Sequence, residues 1–267
     1  MLKKILLLQV GFLVLYGCST VPLTGRQQLD LVSNPEIISM ASQQYQQVLK
    51  ESKLSDSREQ TDLVKRVGAR IKGAVENYMA GAGLSSQLEG FNWEFNLIQD
   101  DKTANAWCMP GGKVAFYSGI LPICKDENGV AVVMGHEIAH AIANHGRERM
   151  SQGLVENGLL STLSAAMGQN PTMTTQIFMQ AIGAGAGIGM LKFSREQESE
   201  ADHLGLIFLA KAGYDPNEAP KFWERMVANS KNAAPPEFLS THPSDQRRIA
   251  ALKSYIPEAM RYYARKK

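Results

Sequence analysis

The chain has 267 residues, 44% of them apolar, 20% charged and 7% aromatic, the balance of an ordinary folded domain long enough to bury a sizeable core. That balance excludes wholesale disorder and a polytopic membrane protein. The formal charge is +2, and removing Lys3 and Lys4 with an export segment leaves 2 − 2 = 0, which argues against a nucleic-acid partner held by charge.

Residues 1–17 read as a signal peptide of the lipoprotein type: Lys3 and Lys4 precede an apolar run from Ile5 to Tyr16 that is too short to span a bilayer as a helix. Leu15-Tyr16-Gly17-Cys18 resembles a lipobox, so Cys18 is expected to carry lipid. Ser19 after it resembles lipoproteins sent to the outer membrane. The expected address is therefore periplasmic, anchored by lipid to the outer membrane. Residues 18–33 read as a polar tether and 34–267 as one domain, with N-terminal helices over 34–90 and a catalytic core over 91–267. Cys108 and Cys124 are the remaining thiols, and their spacing leaves a disulfide between them open.

Asn34 and Pro35 open a helix that runs to about Lys50, and Leu63, Val67, Ile71 and Val75 give a second over 62–79. Strands are expected over 93–99 and, after Pro110-Gly111-Gly112, over 113–118. Helices follow over 128–149, 151–168, 194–212, 216–230 and 245–265. A few strands followed by many helices imply an α+β, mainly helical domain with a small mixed sheet. Gly183-Ala184-Gly185-Ala186-Gly187-Ile188-Gly189 reads as a close-packed helix or a cover over a cleft, because no strand precedes it as a phosphate loop would need.

His136-Glu137-Ile138-Ala139-His140 lies inside an apolar helical run. Positions four apart share a helix face, so both imidazoles point one way, while Glu137 sits about 100° round, within reach of a metal-activated water. This is zinc-hydrolase geometry and a zincin-type HExxH helix: neutral imidazoles suit Zn²⁺, and two of them leave room for a third ligand and a water. His145 is half a turn out of phase and joins them only if the helix breaks. Downstream, Glu198 and Asp202 share one face of a helix and Glu196 and Glu200 another, so spacing alone leaves the third ligand open.

Gly135-His136-Glu137-Ile138-Ala139-His140, Glu198-Ser199-Glu200-Ala201-Asp202 and Thr241-His242-Pro243 resemble the gluzincin metallopeptidase family of the CAAX prenyl endopeptidase, which includes the HtpX, Oma, BepA and LoiP proteases. The resemblance runs from about Phe91 to Leu252. It implies that His136, His140 and Glu198 hold one Zn²⁺ per chain, that Asp202 orients His136, and that Glu137 is the base. It also implies that Asn105 and Ala106 belong to an edge strand holding an extended peptide; the alternative is a turn asparagine before a buried Trp107. His242 is placed beside the metal, as a transition-state donor or as an inhibitory ligand. The lipid-anchored LoiP kind is the nearest match, since hydrophobic spans like those of HtpX are missing. The resulting expectation is a zinc endopeptidase degrading misfolded or misassembled envelope proteins. Its alternative is an outer-membrane protein assembly factor or chaperone with latent proteolysis, partnered by the assembly machinery.

Overall fold

The computed structural model describes residues 18–21, 23–158, 163–184, 193–229, 236–244 and 246–263. The signal-peptide reading of 1–17 lies outside them. In the segment expected to be a polar tether, β1 (Cys18–Thr20) and β2 (Gln27–Leu29) pair as an antiparallel hairpin, and Val21 and Val32 are buried. These two apolar residues among polar neighbours supply the contact that a tether would lack.

Helix α1 (Asn34–Glu51) starts at a capping box of Ser33 and Glu36, and α2 (Arg58–Gly81) starts where the Ser57 side chain accepts from Gln60 N–H. The inner face of α2 buries Val64, Val67, Ile71, Val75 and Met79, the i, i+3, i+4 stripe of a helix against a core. It packs beside a three-stranded sheet of β3 (Glu94–Ile98), β4 (Ala106–Met109) and β5 (Lys113–Tyr117) in the order β3-β5-β4. β3 runs parallel to β5 and β4 antiparallel, so the sheet is mixed and β4 is an edge. Trp107 on β4 packs edge-on against Tyr45 at 5.8 Å between ring centroids, and the Tyr45 hydroxyl donates to the Val114 carbonyl at 2.8 Å.

A short turn of helix, α3 (Leu121–Cys124), leads to α4 (Glu127–Ile142). Asp126 caps α4 by accepting from the backbone N–H groups of Asn128 and Gly129, and every residue from Gly129 to Ile142 is buried. α5 (His145–Glu156), α6 (Leu163–Gln169), α7 (Pro171–Ala181), α8 (Arg195–Lys211), α9 (Glu218–Asn229), α10 (Glu237–Thr241) and α11 (Gln246–Ala259) complete the α-helices among the described residues. α4 crosses α8 at a pair of glycines. A Cβ on Gly135 would meet the Gly205 carbonyl oxygen at 2.9 Å, and one on Gly205 would meet His136 N at 3.0 Å. Only two residues without side chains allow this approach, and it sets the middle of α4 against the Glu198–Asp202 turn of α8.

Three expectations are corrected. The helix expected over 128–149 breaks after Ile142, because Asn144 takes φ +60°, a left-handed conformation that asparagine tolerates better than most residues. The helix expected over 151–168 ends at Glu156, with Gly158 at φ +73°; residues 159–162 lie outside the described set. Residues 163–169 are helical again as α6, and α7, with Asn170 accepting from Met173 N–H and Pro171 in its first turn, was missed although the Asn-Pro start signal stands in the sequence. The last helix closes at Ala259, short of 265. Cys108 and Cys124 are both buried free thiols, which settles the disulfide left open. Most of the Gly183–Gly189 run, 185–189, lies outside the described residues.

Candidate metal centre

His136 and His140 stand one turn apart on α4, with their rings edge to face at 4.6 Å and their Nε2 atoms 3.0 Å apart. Glu198 faces both from α8, its Oε2 3.6 Å from His136 Nε2 and its Oε1 3.4 Å from His140 Nε2. His242, just after α10, closes the group, with Nδ1 2.8 Å from Glu198 Oε1 and 3.2 Å from His136 Nε2. One donor atom from each of these four buried residues lies within 4.8 Å of the others.

The buried carboxylates place the protons of the cluster. Burial alone would raise the Asp202 carboxyl, but the Arg248 guanidinium and His136 hold it below the ordinary range, so it is ionised and only accepts. It lies 2.9 Å from His136 Nδ1, favours the ring's proton on that side and leaves Nε2 as an acceptor, 3.3 Å from Arg248 Nη2. His140 Nδ1 contacts His145 Nδ1 at 2.8 Å, and His145 Nε2 contacts Glu200 Oε2 at 2.8 Å. Burial is outweighed at Glu200 by bonds from His145, Thr24 and Arg26, which hold its carboxyl at about 2. His145 therefore donates its Nε2–H to Glu200 and accepts at Nδ1 from His140 Nδ1–H, which leaves His140 Nε2 as an acceptor. Two nitrogen lone pairs and a carboxylate converge with no proton to share between the nitrogens, an arrangement that a cation completes. Nitrogen and carboxylate donors in this number suit Zn²⁺.

Glu137 is buried beside the cluster, with Oε1 3.4 Å from His242 Nε2. Burial and the nearby Glu198 push its carboxyl well above the ordinary range. Glu198 itself is held well below that range, because Arg248 and His242 overcome its burial. Arg248, on α11, bonds Asp202 twice, at 2.7 Å and 2.8 Å, pairs with Glu198, and lies 3.5 Å over the Trp223 ring. Phe193 covers the outer side, its ring 4.0 Å from that of His140 and stacked on His242 at 4.9 Å.

The edge strand is covered. Tyr117 N–H donates to the Asn105 carbonyl, so Asn105, Trp107 and Met109 face β5 while Ala106 and Cys108 turn their peptide groups to the open side. There the Asn105 side chain accepts from Ala106 N–H at 2.9 Å and donates to Glu237 at 3.2 Å. Phe238 N–H donates to the Ala104 carbonyl. Asn105 thus serves its own backbone and α10. Cys18 is exposed at the start of β1. Sequence reasoning missed Arg248, whose neighbour Arg247 makes the pair read as surface charge, and Phe193. It paired Glu200 with Glu196 on a rival face; the fold turns Glu200 toward His145 and leaves Glu196 exposed.

Fold and donor set together define a metal-dependent peptidase. The chain belongs to peptidase family M48, whose model matches residues 65–256. It is 35% identical over 243 residues to "Mitochondrial metalloendopeptidase OMA1" of Schizosaccharomyces pombe, covering 90% of this chain and 66% of that protein. To the protein of the same name in Saccharomyces cerevisiae it is 30% identical over 249 residues, 91% of this chain and 70% of the other. To the "Beta-barrel assembly-enhancing protease" of Escherichia coli it is 33% identical over 167 residues, 59% of this chain and 33% of that protein. The chain thus spans about two thirds of the yeast relatives' length. The expected periplasmic, outer-membrane address is overturned, because the relatives that match nine-tenths of the chain are mitochondrial by name. Among the described residues, no helix is long and apolar enough to cross a membrane.

Proposed function

We propose that this chain is a zinc endopeptidase that cuts extended segments of unfolded or misassembled proteins, with one Zn²⁺ held by His136, His140 and Glu198. The observation that carries this reading is the pair of imidazole Nε2 atoms, 3.0 Å apart, facing Glu198 next to Glu137. Bound Zn²⁺ supplies Lewis-acid polarisation of the scissile carbonyl. Glu137 takes the proton of the attacking water and delivers it to the leaving amine nitrogen. Its carboxyl is raised by burial first and by Glu198 second, so it acts as a base at neutral pH only where positive charge beside it offsets both. Asp202 holds His136, and Arg248 holds Asp202. An extended peptide adds to the open side of β4 through the peptide groups of Ala106 and Cys108, once α10 has moved aside.

The test is elemental analysis of purified protein together with casein cleavage. Stoichiometric zinc, with turnover by wild type and none by Glu137→Gln, supports the proposal. Zinc-loaded protein that never cleaves overturns it. A second reading, a latent enzyme that assists assembly and cleaves rarely, is favoured by one observation: His242 bonds Glu198 at 2.8 Å while the adjoining α10 covers the strand edge. Wild type that binds unfolded protein tightly but cleaves only after His242→Ala would favour it over the first.

A further inference from the structure

His145 is fully buried, carries no donor atom in the four-residue cluster, and has no part in the reaction outlined above. Its ring nonetheless spans the gap between His140 and Glu200, with a 2.8 Å contact at each nitrogen. Glu200 is held in turn from the N-terminal segment: Arg26 Nε donates to it at 2.8 Å, and the Thr24 hydroxyl donates to it as well. The other end of the same guanidinium grips Glu148 on α5 through two bonds, at 3.0 Å and 2.8 Å. Glu148 also accepts from Gln197 on α8 at 2.8 Å. Two further ties fix the strap: Leu31 N–H donates to Ser151 at 3.0 Å, and Arg147 pairs with Asp30 at 3.1 Å.

We infer that His145 is a positioning residue for the metal: under Glu200 and the Arg26 strap, it fixes His140 in the tautomer whose Nε2 is free to bind. This rests on the reading above that His140 is a zinc ligand. The two imidazoles meet nitrogen to nitrogen, so one proton lies between them, and Glu200 decides whose it is. As a carboxylate it accepts only, so the His145 proton sits on Nε2 and its Nδ1 is an acceptor for His140 Nδ1–H. His136 receives the same service from Asp202 directly. For His140 the negative charge stands one ring farther off, so the ligand is oriented without a third carboxylate beside the metal. The break at Asn144 makes this possible, because a continuous helix would carry His145 away from His140. The strap couples the first described residues to the metal: losing Arg26 frees Glu200 and weakens the hold on His145.

The experiment measures zinc affinity by competition with a chromogenic chelator. In parallel, nitrogen-15 correlation of the histidine rings reads their tautomers. The variants are His145→Phe, His145→Asn and Arg26→Met, with thermal unfolding of each metal-free protein as the control for folding. Phe keeps the bulk and removes the acceptor, so zinc affinity is expected to fall by about 10- to 100-fold, the usual effect of losing a partner behind a ligand. Asn places an amide oxygen near the site of Nδ1 and is expected to restore most of the loss. Arg26→Met, at the molecular surface, is expected to cost a smaller factor, about 3- to 10-fold. In wild type the His140 ring should show its proton on Nδ1. Wild-type affinity in His145→Phe, an equal loss in Phe and Asn, or a His140 proton on Nε2 each overturns the inference. If His145→Phe fails to fold, unchanged affinity in Arg26→Met together with the wrong His140 tautomer in wild type does so. Wild type that binds no zinc at all overturns the parent reading, and this one with it.

Discussion

A guanidinium is an expensive group to bury, and Arg248 is buried between Asp202, Glu198 and the Trp223 ring. It is tolerated because two carboxylates on one turn of α8 need a permanent cation beside them. Removing it leaves both charges in the interior and releases the carboxylate that holds His136. Arg248→Met should therefore destabilise the metal-free protein by about 3–5 kcal/mol, read by denaturant unfolding at neutral pH. An unchanged midpoint would show that the carboxylates find other partners. At the same turn, Glu198→Ala should empty the metal site, while Glu196→Ala, on the exposed face, should leave zinc content at the wild-type level by elemental analysis.

Among the elements, the crossing of α4 and α8 determines whether these residues meet at all. Gly135→Ala gains helix propensity of up to about 1 kcal/mol, but the new Cβ would stand 2.9 Å from the Gly205 carbonyl oxygen, and backbone cannot rotate aside as a side chain can. The clash wins: the helices should part, with a net loss of about 1–3 kcal/mol and weaker zinc binding. Equal stability and equal affinity would show that the crossing is softer than it looks. The His136/His140 pair and the Glu198/Asp202 pair were legible in the sequence because each is a spacing of four on one helix, a local property. Which of the faces on α8 turns inward was not legible from spacing, because Gly135 and Gly205 decide it, seventy residues apart. The break at Asn144 was equally hidden: a single asparagine in an apolar-to-charged transition reads as helix until a left-handed φ is seen, and the meeting of His145 with His140 depends on it.

Across the whole molecule, the loop after α10 ties the far end of the chain to the metal centre, and its hold depends on neutral histidine. Burial lowers the His242 ring to about 4, despite the pull of Glu198. A base whose folded value is depressed stabilises the fold above its unfolded value of about 6.5, and that stability is lost as pH falls toward the folded value. Between pH 7 and pH 5 the unfolded chain takes up the proton first, so acid should cost the metal-free protein about 2 kcal/mol through His242. Urea unfolding at both pH values checks this: His242→Asn should show a drop smaller by about that amount. A drop equal to that of wild type would move the effect to other groups.

The same residue faces both carboxylates of the site. His242 reaches Glu198 at 2.8 Å and Glu137 at 3.4 Å, while Glu237 and Phe238 in the preceding turn bond Asn105 and Ala104 on and beside the edge strand. Seven residues, 236–242, thus close the donor cluster and the open side of β4 together. If opening this segment limits turnover, His242→Ala raises casein cleavage by the inverse of the open fraction. Glu237→Ala, which releases Asn105 without touching the metal donors, raises it in the same direction. If His242 instead donates to the oxyanion in the transition state, its loss lowers kcat by about 10²-fold with KM little changed, while Glu237→Ala still accelerates. The joint cover of metal and groove favours the first outcome, a rise in both variants at equal zinc occupancy. A fall in His242→Ala alone would assign the imidazole to the reaction, and no change in Glu237→Ala would show that the groove opens without α10.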